Sequence, residues 1–233
     1  MGNVSVKEAL SRRFRSGRDV LLRQFLETAP RAGGDLRILD LGGRTDYWLR
    51  VGVPFLQSLR ARITISNLLE TEITDRGSLP DGMFDFHVGN GCHLEFADGS
   101  FDVCHSNSVI EHVGGWPEMQ DFARETRRVA TAYYAQTPNF WFPVDPHFWR
   151  MPMIHWTPRP VRARMMRALP LAHAGRAPDL ETAYGFVDGS RLLSARQMRA
   201  LFPDADLIPE KLGGLAKSYI AIRNPGVARA KAA

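Results

Sequence analysis

The chain has 233 residues, 44% of them hydrophobic and 24% charged, with a formal net charge of +5. That composition suits one soluble globular domain, and two cysteines outside any CxxC pair, Cys92 and Cys104, exclude a disulfide framework or a thiolate zinc site. No run approaches the roughly 18 apolar residues of a membrane span, and the N-terminal stretch lacks the apolar core of a secretory signal.

Residues 5–29 read as helix: Val6, Leu10, Phe14, Leu21, Leu22, Phe25 and Leu26 recur at spacings of three and four with charge between them. Gly17 leaves open a break into two shorter helices, and Gly2 is not taken as a lipidation signal. Four short apolar runs follow, DLRILDL, RARITISN, MFDFHVGNG and SFDVCHSNS, with the look of buried parallel strands. GGWPEMQDFARETRRVA predicts a helix with Pro117 in its first turn and Met119, Phe122, Ala123, Thr126 and Val129 on one face. TAYYAQT is a fifth strand, ended by Pro138.

After Pro138 the composition changes. The stretch from Pro138 to Met166 holds Trp141, Trp149 and Trp156 among aromatic and proline residues, at a proline density that excludes a long helix or a central strand. From Pro146 to Pro178 stand Arg150, Arg159, Arg162, Arg164, Arg167 and Arg176 with no Asp or Glu. Regular structure is expected to resume at LLSARQMRALFP, where Ser194 and Gln197 form a capping box. Strands near ADLIPE and KSYIAIR complete the chain, with a frayed tail after Asn224.

Strands alternating with helices predict an α/β fold with a parallel sheet covered on both faces. Such sheets bind ligands at the carboxyl ends of their strands, near the point where strand order reverses. The loop DLGGRTD offers the Asp40 carboxylate and, at Gly42 and Gly43, close backbone approach. ISNLLE ends its strand at Asn67, with Glu70 three residues on; GNG carries Asn90 and Gly91; SNSVIEHV presents Asn107, Ser108, Glu111 and His112. Taken singly, these loops could also be plain turns, and Glu111–His112 a surface pair. The GxGxxG spacing of a nicotinamide-binding loop is absent.

In this order and spacing, ILDLGG, ITISN, GNG…LEFADGSFDV and SNSVIEHV resemble a class I S-adenosylmethionine-dependent methyltransferase. The likeness, over about residues 36–136, is to the small-molecule type grouped with the ubiquinone/menaquinone biosynthesis enzymes (methyltransferase type 11). The resemblance implies a Rossmann-like, doubly wound, mostly parallel seven-stranded sheet with helices on both faces and an aromatic, proline-rich insertion after strand five. It implies one domain over 1–233: an N-terminal helical segment (5–29), a cofactor-binding core (36–136), an insertion or lid (138–190), and a C-terminal helix with strands (191–223).

The implied cofactor is S-adenosyl-L-methionine, with no metal. Asp40, Gly42 and Gly43 match the glycine-rich motif at the amino-acid end of that cofactor. Asn67 matches the ribose position, Asn90 with Gly91 the adenine position, and Asn107 the strand end beside the methionine moiety. The chain departs from the pattern in three places: Asn67 and Asn90 replace acids, and Arg44 stands where a glycine is usual. Arg44 either points outward or reaches the cofactor carboxylate. His112 is the expected general base, with Glu111 orienting it or acting as the base itself and His147 as runner-up; His87, His93, His105 and His173 are expected to be structural or exposed. The expected acceptor is a small molecule, a glycan or a lipid-linked molecule, anionic in character, with peripheral membrane contact through 140–167 and no nucleic acid. The expected location is cytoplasmic, or the inner face of the membrane. The alternative is a cofactor-binding pseudoenzyme or scaffold whose glycine loop is impaired.

Overall fold

The computed structural model describes residues 6–73, 79–171 and 175–227, with side chains from Gly17 onward. Gly2, His173 and the tail after Val227 lie outside the described residues. The elements run α1 (Val6–Thr28), β1 (Leu36–Leu41), α2 (Thr45–Ser58), β2 (Ala61–Asn67), β3 (Phe84–Val88), β4 (Phe101–Asn107), α3 (Trp116–Val129), β5 (Ala130–Pro138), α4 (Arg159–Ala168), α5 (Leu180–Asp188), α6 (Ala195–Leu201), β6 (Asp206–Leu212) and β7 (Leu215–Arg223). α1 passes through Gly17 as one helix, so the break left open there does not occur.

The strand order is β3-β2-β1-β4-β5-β7-β6. β1 to β5 pair in parallel, whereas β7 runs antiparallel to both β5 and β6, so the sheet is mixed. The reversal comes from a two-residue turn, Gly213–Gly214, in which both residues have positive φ (57° and 85°). That conformation favours glycine and closes an antiparallel hairpin. The order reverses between β1 and β4, so the loops leaving these two strands diverge and open a crevice between them.

Each central strand shows alternate residues to two cores, as a period-two backbone covered on both sides must. Leu36, Ile38, Val103 and Tyr134 face α1 and α2, packing on Leu22, Leu26, Trp48 and Leu56. Leu39, Leu41, Cys104 and Tyr133 face α3 and α6, packing on Phe122, Met198 and Phe202. Met119, Phe122, Ala123, Thr126 and Val129 are all buried on one face of α3, as their spacing predicts. Both cysteines are buried free thiols.

Between β5 and α6, regular structure returns earlier than expected, as α4 and α5. The prolines exclude a long helix but not the ten-residue α4, because Pro160 falls in its first turn, where its missing N–H costs nothing. α5 is capped by Asp179, whose side chain accepts from the Thr182 N–H. Phe148, Ile154, Ala163, Met166, Ala183 and Val187 give this segment a small core of its own. Among the described residues, no helix is long and apolar enough to cross a membrane.

Asp102 on β4, nearly fully buried, accepts from the backbone N–H groups of Ala32 and Arg37 and from the Arg37 guanidinium, tying the entry to β1 against β4. Burial alone would raise its carboxyl, but these donors hold it below the usual carboxylate range. A depressed carboxyl adds stability above its unfolded pKa, and that stability is lost as pH falls through the folded value. Asp102→Asn should therefore lower urea stability by about 1–3 kcal/mol at pH 7. The gap between wild type and variant should shrink below about pH 4, and an unchanged gap at pH 3 would refute the assignment.

Candidate functional site

Every residue singled out from the loops sits at or beyond the carboxyl end of a parallel strand. They form two groups. The first lies where β1 and β4 part. Asp40 is buried (1% exposed), and its carboxylate accepts from Trp48 Nε1 at 2.6 Å and bonds His105 Nδ1 at 2.7 Å. It lies directly over Gly43: a Cβ on that residue would stand 1.6 Å from Asp40 Oδ2, so only glycine fits. Gly42 has φ +65°, and a Cβ there would lie 2.6 Å from Val109. The two glycines are thus required by the chain's own packing.

Arg44 does neither thing a blocked loop would need. Its backbone is extended (φ −140°, ψ 145°), a conformation open to any residue, and it caps the start of α2 without a side-chain bond. Its guanidinium is exposed and pairs with Asp46 at 3.2 Å. Arg44→Gly should therefore change S-adenosylmethionine affinity by no more than about twofold, the effect of an ordinary surface substitution, as calorimetric titration would show. A large gain in affinity would mean that the arginine obstructs the loop.

Asn67, buried at the end of β2, donates from Nδ2 to the Gly43 carbonyl at 3.1 Å and so pins the glycine loop. Asn90 Oδ1 accepts from the Cys92 N–H at 2.9 Å, and Gly91 lies under the Phe122 ring, 2.9 Å from a would-be Cβ. Asn107 Oδ1 accepts from Arg18 Nη1 at 2.6 Å. Arg18 also donates to both oxygens of Glu210, at 2.9 and 2.6 Å. Burial opposes the Arg18 charge, but Glu210 outweighs it and holds the guanidinium above its ordinary value. Sequence reasoning missed Arg18. Its signal is a cation on the apolar stripe Leu10, Phe14, Arg18, Leu22, Leu26, where a solvated residue has no place. Beside these groups, Tyr47 Oη, Tyr134 Oη and His105 Nε2 are buried without a partner among the described residues, and burial pushes both phenols up. His105 stacks between the two tyrosine rings, at 5.1 and 5.5 Å.

The second group brings together the three expected acid–base residues. Glu111 and His112 lie in a single 3₁₀ turn, residues 110–112, just after β4; His147 lies in another, 146–148, after β5. His112 Nε2 and His147 Nε2 are 3.1 Å apart. Glu111 does not orient His112 as expected: its Oε2 accepts from Thr137 Oγ1 at 2.9 Å, and Oε1 has no partner among the described residues. Burial raises the Glu111 carboxyl to about 7. The orienting partners are the Gly189 carbonyl, 2.6 Å from His112 Nδ1, and buried Asp145, 2.8 Å from His147 Nδ1. Burial lowers His112, whereas for His147 the Asp145 bond overcomes burial and raises it. Ser108, next to this turn, holds a left-handed φ of 58° at the end of β4, a strain found at functional sites.

Beside Asp145 opens a cavity of about 320 Å³ lined by Phe140, His155, Arg159, Arg162, Ser190 and Arg191 among others. Arg162 Nε, His155 Nδ1 and Ser190 Oγ are buried there without partners among the described residues. Burial pushes Arg162 below its ordinary value, so its charge is poorly compensated. The run of arginines pointed to this segment, but spacing could not show which of them turn inward.

The methyltransferase domain family matches residues 54–132, a stretch that begins beyond the glycine loop. No curated protein matches the chain. Among solved structures, the PH0226 protein of Pyrococcus horikoshii is similar at 16% identity and a TM-score of 0.56, covering 96% of this chain and 93% of its own. The magnesium protoporphyrin IX methyltransferase of Synechocystis, solved with bound SAH, is similar at 12% identity and 0.54, covering 95% and 88%. The CMeT domain structure of the citrinin polyketide synthase is similar at 12% and 0.58; the match covers 90% of this chain but only 51% of that one. Residues 54–132 therefore match a methyltransferase domain family, and the sheet that carries them shares its fold with a solved methyltransferase.

Proposed function

We propose that this chain transfers a methyl group from S-adenosylmethionine to an anionic small-molecule, glycan or lipid-linked acceptor. The observation that carries the reading is the convergence of His112 and His147, from separate strand ends, beside an arginine-lined cavity. When bound, S-adenosylmethionine supplies a methyl group made electrophilic by a cationic sulfur. The residues suit its amino-acid end. Arg18 offers a cation, and Tyr47, Tyr134 and His105 offer buried polar atoms that a zwitterion would satisfy. Asn67 and Asn90 are assigned to the ribose and adenine by resemblance, and Asn107 to the methionine moiety.

In this reading residues 138–190 are an acceptor-binding insertion. Arg162 and Arg191 hold the acceptor's anionic group, and the Glu111–His112–His147 cluster prepares its nucleophilic atom by easing the loss of a proton. Trp141 (65% exposed), Met153 (53%), Trp149 (41%) and Trp156 (40%) stand out from the same segment among arginines, a pattern suited to an anionic membrane surface carrying the acceptor. Wild type should co-sediment with phosphatidylglycerol vesicles, and Trp141→Ser/Trp149→Ser should release it; equal sedimentation would remove the lipid part of the reading.

The pseudoenzyme alternative has lost its reason, because Arg44 is turned to solvent. Calorimetric titration with S-adenosylmethionine and S-adenosylhomocysteine tests the reading. Micromolar binding is expected in wild type, weakened at least about tenfold by Arg18→Ala through loss of a charged contact. Absence of binding by wild type would overturn it.

A further inference from the structure

We infer that Glu111, His112 and His147 form a binding site for a divalent first-row transition cation, with two imidazole nitrogens and one carboxylate as ligands. The sequence gives no hint of it, and no metal was expected: Glu111 and His112 are adjacent, and His147 comes 35 residues after His112. In the fold their ligand atoms lie within 4.8 Å of one another.

The hydrogen bonds dictate the charge this site lacks. The Gly189 carbonyl only accepts, so the His112 Nδ1 beside it carries the hydrogen. Asp145 Oδ1 accepts from both the backbone N–H and Nδ1 of His147, so that Nδ1 carries a hydrogen too. Two neutral rings held this way bring two Nε2 lone pairs together at 3.1 Å, with the rings near perpendicular. Only something positive between them, a shared proton or a metal ion, makes that arrangement favourable. Nearby, the Glu111 carboxylate is 1% exposed with an oxygen that bonds nothing among the described residues.

The spacing fits an ion. Two nitrogens each 2.0–2.1 Å from one metal stand about 2.9 Å apart at a right angle and about 3.4 Å apart at the tetrahedral angle. The observed 3.1 Å lies between. The carboxylate has about 1–2 Å to close to reach the same sphere, within the reach of a χ rotation. The outer bonds are those of a metal site as well: a carboxylate behind one imidazole and a backbone carbonyl behind the other fix ring orientation and strengthen the donors. His112 is exposed, which leaves coordination positions open to water or an oxygen of the acceptor. Two imidazoles with one carboxylate suit zinc, cobalt, nickel or iron rather than magnesium or calcium.

The role of the ion in methyl transfer rests on the reading above: an acceptor hydroxyl bound at an open position would release its proton to water at a lower pH than when free. The metal site stands without it. The test uses full-length, tag-free protein stripped with a chelator and equilibrated with Zn²⁺, the bound metal counted by atomic emission, and Co²⁺ as an optical probe of imidazole ligation. One Zn²⁺ per wild-type chain is expected, with a rise in Tm. Binding should be weakened at least about a hundredfold in His147→Ala and about tenfold or more in Asp145→Ala, which removes only the outer bond. His93→Ala, an exposed histidine elsewhere, should bind as wild type. Should His147→Ala fail to fold, His147→Gln and Glu111→Gln serve in its place. Wild-type binding no tighter than that of the folded variants would overturn the proposal and leave a proton as the bridge. Cofactor titration is run separately, so loss of the metal site and failure of the methyltransferase reading are told apart.

Discussion

Asp40→Ala is expected to lower folding stability by about 3–5 kcal/mol and to abolish cofactor binding as a consequence. Asp40 is the common acceptor for two buried donors, Trp48 Nε1 on α2 and His105 Nδ1 on β4. Truncation strands both in an interior without water, at about 1–3 kcal/mol for each unpaired group. It also removes the carboxylate that covers Gly43, leaving the glycine loop held by the Asn67 bond. The measurement is urea unfolding followed by calorimetry with S-adenosylmethionine on the folded protein. Trp48→Phe, which keeps the ring but removes one donor, should cost less and retain binding. An Asp40→Ala variant that unfolds like wild type yet binds nothing would refute this account and make Asp40 a direct ligand contact, as the loop alone suggests.

That prediction marks where the sequence stops being readable. The strands β1, β2, β4 and β5 were legible because strands covered on both faces must be near-continuous apolar runs; β3, read as buried like them, lies at the sheet edge and has no buried residue. The ends of β1, β2 and β4 were legible because close packing there admits only small or short polar residues. Side-chain direction was not. Asp40 has the same letters whether it faces a ligand or folds back over Gly43, and only the indole of Trp48, eight residues on, decides between them. Arg44 looked like an obstruction because the family pattern marks a glycine there. The pattern does not say whether φ at that position is positive, and here it is not. His147 was legible only as a candidate, since its meeting with His112 depends on how the chain after β5 doubles back. The same holds for Asp145 and Gly189, which no motif singles out. The seven-stranded, mostly parallel sheet follows the resemblance, and its antiparallel part follows from Gly213–Gly214, present in the sequence as LGGLAK.

His112→Ala should lower turnover by about two to four orders of magnitude, the usual worth of a positioned proton-transfer group, while leaving cofactor affinity unchanged. The separation is expected because His112 bonds Gly189 and His147, whereas the residues assigned to the cofactor bond Arg18, Trp48, His105 and one another. His147→Ala should fall as far, since neither imidazole keeps its partner once the other is gone. The double variant should then be scarcely worse than either single one, because groups acting as a unit are not additive. This holds whether the pair receives the acceptor's proton itself or holds the ion that makes the proton easier to lose. Kinetics with an identified acceptor, together with cofactor titration on all three variants, decide the matter. Losses that add in the double variant would separate the two histidines into independent roles. A His112→Ala protein that turns over like wild type would remove the cluster from the chemistry and leave the arginine-lined cavity as the sole guide to the acceptor.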